Sequence, residues 1–133
     1  MRLYSDIDEA RSRVIVTFAG EVTLGDIREM MSTCAKAGIL HFQLLIDGRG
    51  TRVRLSTHDV TEFQRLVREL AQQSRLGQTA VLVSDALVMG AVTVLSALAC
   101  GMCNVKGFYD RQKAEQWLGW QPKLEAAAVP ASA

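Results

Sequence analysis

The sequence is poor in several things at once, and each shortage removes a class of protein. Three cysteines in 133 residues, Cys34, Cys100 and Cys103, are too few and too irregularly spaced for a secreted disulfide scaffold. The formal net charge is only +1, so no global field draws nucleic acid or an acidic membrane, and any anion binding must be local. The opening residues, MRLYSDIDEARSR, have acids where a signal peptide needs a basic region and then an apolar one, which leads us to expect a cytoplasmic protein. His41 and His58 stand alone, and Cys100-Gly101-Met102-Cys103 lacks a second Cys or His pair, so no metal and no cofactor are expected. Gly48 and Gly50 are not followed by Gly-Lys-Ser/Thr, which excludes a phosphate-binding loop of the Walker type. The glutamates are scattered and form no catalytic pair, and no Ser-His-Asp or Cys-His order stands out. No enzyme is expected.

What is present is an ordinary globular composition, 49% apolar and 22% charged, in a length that suits one domain with a real core. Arg2 to Ile7 and the β-branched run RSRVIVTFAGEV predict an antiparallel hairpin, with Val14, Val16 and Phe18 sharing one face. Thr23 with Asp26, and Ser56 with Asp59, predict two capped helix starts. Leu24, Ile27, Met31, Cys34 and Ala35 give the first helix its apolar stripe, up to Gly38. Val60, Phe63, Val67 and Leu70 do the same for the second, which Gly77 is expected to close. FQLLID, TAVLVS and VKGFYD read as strands, an apolar helix is expected over Ala86–Cys103, and a last helix over Arg111–Leu118. Strands alternating with helices imply crossover units and a mostly parallel sheet. Residues 1–120 are expected as one domain; from Gln121 the periodicity stops and both prolines occur, which predicts a flexible C-terminal tail over 121–133.

The order of elements, together with VIVTFAGEVTLGDI, LLIDGRG, TAVLVSDALVMGAV and GFYDRQKAEQWL, resembles the SpoIIAA-like family of bacterial proteins, related in fold to STAS domains and to the CRAL-TRIO lipid-transfer domain. The resemblance spans about Arg2 to Leu118. It implies an α/β fold wound as a right-handed βα superhelix, β-β-α-β-α-β-α-β-α, around a mixed, mostly parallel five-stranded sheet. It implies no enzymatic activity and the binding of a small or lipophilic molecule. With the arginines described next, the expectation is a binding or regulatory module for a small or lipophilic anionic ligand or a regulatory protein partner.

Two stretches are candidates for that role. In LIDGRGTRVRLSTHD, Asp47 ends a strand where open α/β sheets place ligand groups, or else it accepts hydrogen bonds from nearby loop N–H groups. Arg49, Arg52 and Arg54 precede a helix N-terminus at Ser56 and Thr57, where N–H groups favour an anion. The competing reading is a solvated loop whose arginines pair with Asp47, Asp59 or Glu62. The resemblance adds a further alternative: STAS regulators of anti-sigma partners are switched by phosphorylation of a serine at this helix start, so Ser56 or Thr57 is a candidate acceptor as well as an N-cap. The second stretch, Ala86 to Val105, carries no charge. It is read as a buried helix, not a membrane span, because it holds Gly90, Thr93, Ser96, Gly101 and Asn104. Its apolar residues exceed one stripe. Leu87, Ala91, Val92, Val94, Leu95 and Leu98 are therefore read as a homodimer interface, with a lipophilic pocket bounded by Leu87, Met89 and Met102 as the alternative. The cysteines read as buried small apolar residues, since the C-terminal pole of a helix disfavours thiolate.

Overall fold

The structure is a computed structural model and describes residues 2–120; the tail expected over 121–133 lies outside the described residues. The elements run β1 Arg2–Asp8, β2 Arg13–Ala19, β3 Glu21–Thr23, α1 Leu24–Lys36, β4 Gln43–Asp47, β5 Arg52–Arg54, α2 Thr57–Gln73, β6 Thr79–Leu82, α3 Ala86–Leu98, β7 Val105–Phe108 and α4 Arg111–Leu118. Five strands form one sheet in the order β1-β2-β4-β6-β7. The expected hairpin is there, antiparallel from Arg2 opposite Ala19 to Asp8 opposite Arg13. Every other pairing in the sheet is parallel. The mixed five-stranded α/β architecture is the one expected.

The two-residue period of a strand sorts the core into two layers. Val14, Val16 and Phe18 of β2 pack with Met30 of α1, and Leu44 and Ile46 of β4 lean on the same cluster. The residues between them face the other way: Leu45, Ala80 and Leu82 meet Ala114, Leu118 and Trp120, with Ile15 beside them. Helices α1 to α3 thus share one face and α4 takes the other. At the edge of the α4 layer, Gln43 Nε2 donates to Gln78 Oε1 and to Leu118 O, and Trp120 Nε1–H donates to Gln43 Oε1 at 2.7 Å. The Arg13 guanidinium lies 4.7 Å over the Trp120 ring.

Both predicted capping boxes form. Thr23 Oγ1 accepts from Asp26 N and Asp26 accepts from Thr23 N, and Ser56 and Asp59 repeat the arrangement at α2. Asp85 and Asp110 cap α3 and α4.

Three local expectations are corrected. Helix α2 ends at Gln73, before Gly77. Gly77 serves close packing: a Cβ there would lie on the Phe42 carbonyl, and its N–H donates to Leu40 O at 2.9 Å. The uncharged run is not one helix to Cys103. Helix α3 stops at Leu98, and the N–H groups of Met102 and Cys103 both return to Ala99 O at 2.9 Å, closing a turn before β7. Its 13 residues span roughly 20 Å against a hydrocarbon layer of about 30 Å, and no helix among the described residues is long and apolar enough to cross a membrane. Last, β3 and β5 were not anticipated. Glu21, Val22 and Thr23 pair in parallel with Arg52, Val53 and Arg54, a separate ribbon too short to give a periodic signal.

Candidate functional site

The strand period also decides where the arginine loop goes. Asp47 follows Leu45 on β4, so it faces the α4 side, away from α1 to α3. Arg49 folds back on it in a two-point pair, Nε to Oδ1 at 3.0 Å and Nη2 to Oδ2 at 2.8 Å, and the Arg49 backbone N–H donates to the same carboxylate. That pair holds the Asp47 carboxyl below the usual carboxylate range, mainly through the Arg49 side chain, with the charge of Arg111 at the start of α4 adding to it. Arg52 and Arg54 do project to one side of an extended segment, as their spacing predicts, but that side is solvent: both are exposed, and Val53 between them points inward. Arg54 lies 3.7 Å from Glu21 on the neighbouring ribbon strand. Glu62 is engaged by Arg28 and Arg65, not by the loop arginines. The structure therefore separates the three guanidiniums, one turned to the α4 side and two on the outside of the ribbon.

At the start of α2 the capping box already engages two N–H groups, those of Ser56 and Asp59. Ser56 Oγ accepts from Asp59 N at 3.1 Å, and Asp59 Oδ2 accepts from Ser56 N at 2.9 Å. The Ser56 N–H holds the Asp59 carboxyl below its usual range. A phosphate on Ser56 or Thr57 would meet that carboxylate at the same helix end, a like-charge contact set against the favourable dipole.

The feature that sequence reasoning located only in outline is under α3. An apolar cavity of about 130 Å³ lies between the sheet and helices α1 to α3, bounded by Ile46, Phe63, Val67, Val81, Val92 and Leu95 among others. Its polar neighbours are internally satisfied: Thr51 Oγ1 donates to Gly48 O at 2.6 Å and Thr79 Oγ1 to Gly77 O at 3.1 Å. Val22 and Val53 of the unanticipated ribbon form part of the wall, as do Gly48 and Thr51 of the loop. Glu-Val-Thr and Arg-Val-Arg each set one apolar residue between charged or polar ones, which suits a short strand but does not say that the two pair.

The six residues expected at a dimer interface divide among three destinations. Val92 is 7% exposed and, with Ala91 and Leu95, lines the cavity. Leu98 packs half-buried against the cluster of Leu24, Phe63 and Val67. Leu87 and Val94 face outward, 89% and 49% exposed. The excess of apolar residues on α3 serves an inner void and an outer surface together.

Cys103 borders the cavity, its thiol donating toward Gly77 O at 3.5 Å, and burial pushes its pKa up; Cys100 is exposed in the turn after α3. Burial also raises Cys34. Among the described residues no group of three or more His, Cys, Asp and Glu side chains is placed to hold a metal ion.

No protein-family model matches the chain, and no curated protein matches it. Among solved structures it is similar to the crystal structure of an uncharacterized protein from the DUF3478 family, with a SpoIIAA-like fold, from Shewanella loihica PV-4. The two share 19% identity over 88% of this chain and 92% of that one, with a TM-score of 0.58. An identity this low speaks to architecture alone, and on that ground the chain has a SpoIIAA-like fold.

Proposed function

We propose that this protein is a non-enzymatic binding module that takes the apolar part of a small ligand into the void beneath α3. The observation that carries the reading is the void itself. Native interiors leave few gaps larger than a water molecule, and one of about 130 Å³ costs on the order of 3 kcal/mol in lost contacts. It is comparable with the roughly 150 Å³ apolar cavity that stays dry and accepts benzene, so about six carbons fit without rearrangement. The non-enzymatic reading is supported by the lining: its hydroxyls are engaged with backbone carbonyls and its thiol is held protonated by burial. The test is titration with hexan-1-ol, followed by methyl NMR. The resonances of Val67, Val92 and Leu95 are expected to shift and saturate. Ala91→Leu, which fills the space, is expected to abolish the shifts while raising the melting temperature. Wild-type methyls that do not respond to the alcohol would sink the reading.

Leu87 and Val94 favour a second reading alongside the first, a homodimer joined through the outer face of α3. Leu87→Glu with Val94→Glu is expected to turn a sedimenting dimer into a monomer of unchanged fold. A wild-type chain that sediments as a monomer at high concentration removes it.

A further inference from the structure

The cavity beneath α3 has an extension, and its direction is informative. A smaller lobe of about 40 Å³ shares Met30, Met31, Leu44, Thr79 and Cys103 with the main void and runs toward the N-terminal ends of the parallel strands. There it reaches Leu76 and Gly77. The same two residues form part of the wall of a surface cleft of about 540 Å³, which also holds Arg11, His41, Arg75 and Asn104. No carboxylate lines that cleft among the described residues. Arg75 is exposed and makes no ion pair among them, and Arg11 has only a loose one, 3.5 Å from Asp8. At the opposite rim Arg49 is spent on Asp47 and Arg54 lies 3.7 Å from Glu21, while Arg52 is exposed and, like Arg75, makes no ion pair among the described residues.

We propose that the ligand is a lipophilic anion whose apolar part fills the void and whose charged end, a carboxylate or a phosphate, sits in the cleft beside Arg75 and Arg11. The proposal rests on the reading of the void as a ligand site and adds the ligand's charge and direction. Leu76 is the partition between the two compartments. Gly77 has no room to move, because even a Cβ there would lie on the Phe42 carbonyl and its N–H is bonded to Leu40 O. The Leu76 side chain is half-buried, lies in an irregular segment and is common to the lobe, the cleft and a third hollow beside Cys100 and Met102. Rotation of the Leu76 side chain would widen the route from the apolar interior to a basic exterior. Arg75, the residue before it, is then the nearest cation in sequence to the opening.

The experiment compares hexanoate with hexan-1-ol on the full chain by calorimetry and NMR. Wild type is expected to bind both, and Arg75→Gln to weaken hexanoate roughly fivefold while leaving the alcohol within twofold. Lys113→Gln on α4 is the charge-matched control and is expected to change neither. Leu76→Ala is expected to speed exchange of both probes on the order of tenfold. Hexanoate affinity that is indifferent to Arg75→Gln, or that follows Arg52→Gln/Arg54→Gln instead, overturns the assignment of the charged end and leaves the cavity reading standing. Exchange rates unmoved by Leu76→Ala overturn the partition. A wild type that binds neither probe overturns this inference and the cavity reading together.

Discussion

The two faces of the sheet are covered in opposite ways. One short helix, α4, closes its face so tightly that Leu45, Ala80, Leu82 and Ala114 have no accessible surface. Three helices of 13, 17 and 13 residues cover the other face and still leave a void of about 130 Å³. More covering helix does not mean better packing; side-chain size against spacing decides it. On the α4 side the small buried residues Ala80 and Ala114 share one cluster and let the helix come down, and the Gln43–Trp120 bond pins its end. On the other side Gly107 lets α3 settle on β7, where an added Cβ would lie 2.6 Å from Met89 Sδ. Ala91, Ala99 and Thr79 stand further in and nothing fills the space they leave.

The sharpest way to break this contrast is the same truncation on both faces. Leu45→Ala, in the dry layer, is expected to cost about 3–5 kcal/mol, and Leu95→Ala, which already faces the void, about 2 kcal/mol or less. Denaturant unfolding of the two variants checks it, and equal losses would mean that the void is filled in solution. Enlargement should reverse the order. Ala114→Leu is expected to destabilise by about 1–3 kcal/mol through overpacking, whereas Ala91→Leu stabilises. If both destabilise alike, the faces do not differ. A smaller effect belongs to the α2 start, which helps hold the cavity wall: Ser56→Ala is expected to cost about 1 kcal/mol, read from the denaturation midpoint. The smallest concerns Asp47. Its folded-state pKa lies below its unfolded value, so its contribution is fully present above about pH 4 and is lost as pH falls through the lower folded value. Asp47→Asn should flatten the acid limb of the stability curve by no more than about 1 kcal/mol.

Much of this was legible in the sequence. The alternation of Val14, Val16 and Phe18 placed β2 correctly because burial on one face imposes a strict period. Thr23 and Ser56 marked two helix starts because capping is a local reaction of side chain with backbone. The apolar surplus of α3 pointed to a second surface, though not to a division of Val92 from Val94. The arginine loop was the harder case. Spacing put Arg52 and Arg54 on one side, but which side depended on a ribbon with Glu21–Thr23, a pairing between residues 31 apart in sequence that no local pattern encodes. Arg75 carried no motif at all; only the fold brings it beside Arg11 and His41.

The three-rung ribbon has a mechanical meaning. Thr23 is both the last residue of β3 and the cap of α1, while Arg54 stands two residues before the cap of α2. Both helix starts are tied to one clasp, so a substitution that broke the ribbon would loosen two walls of the cavity together.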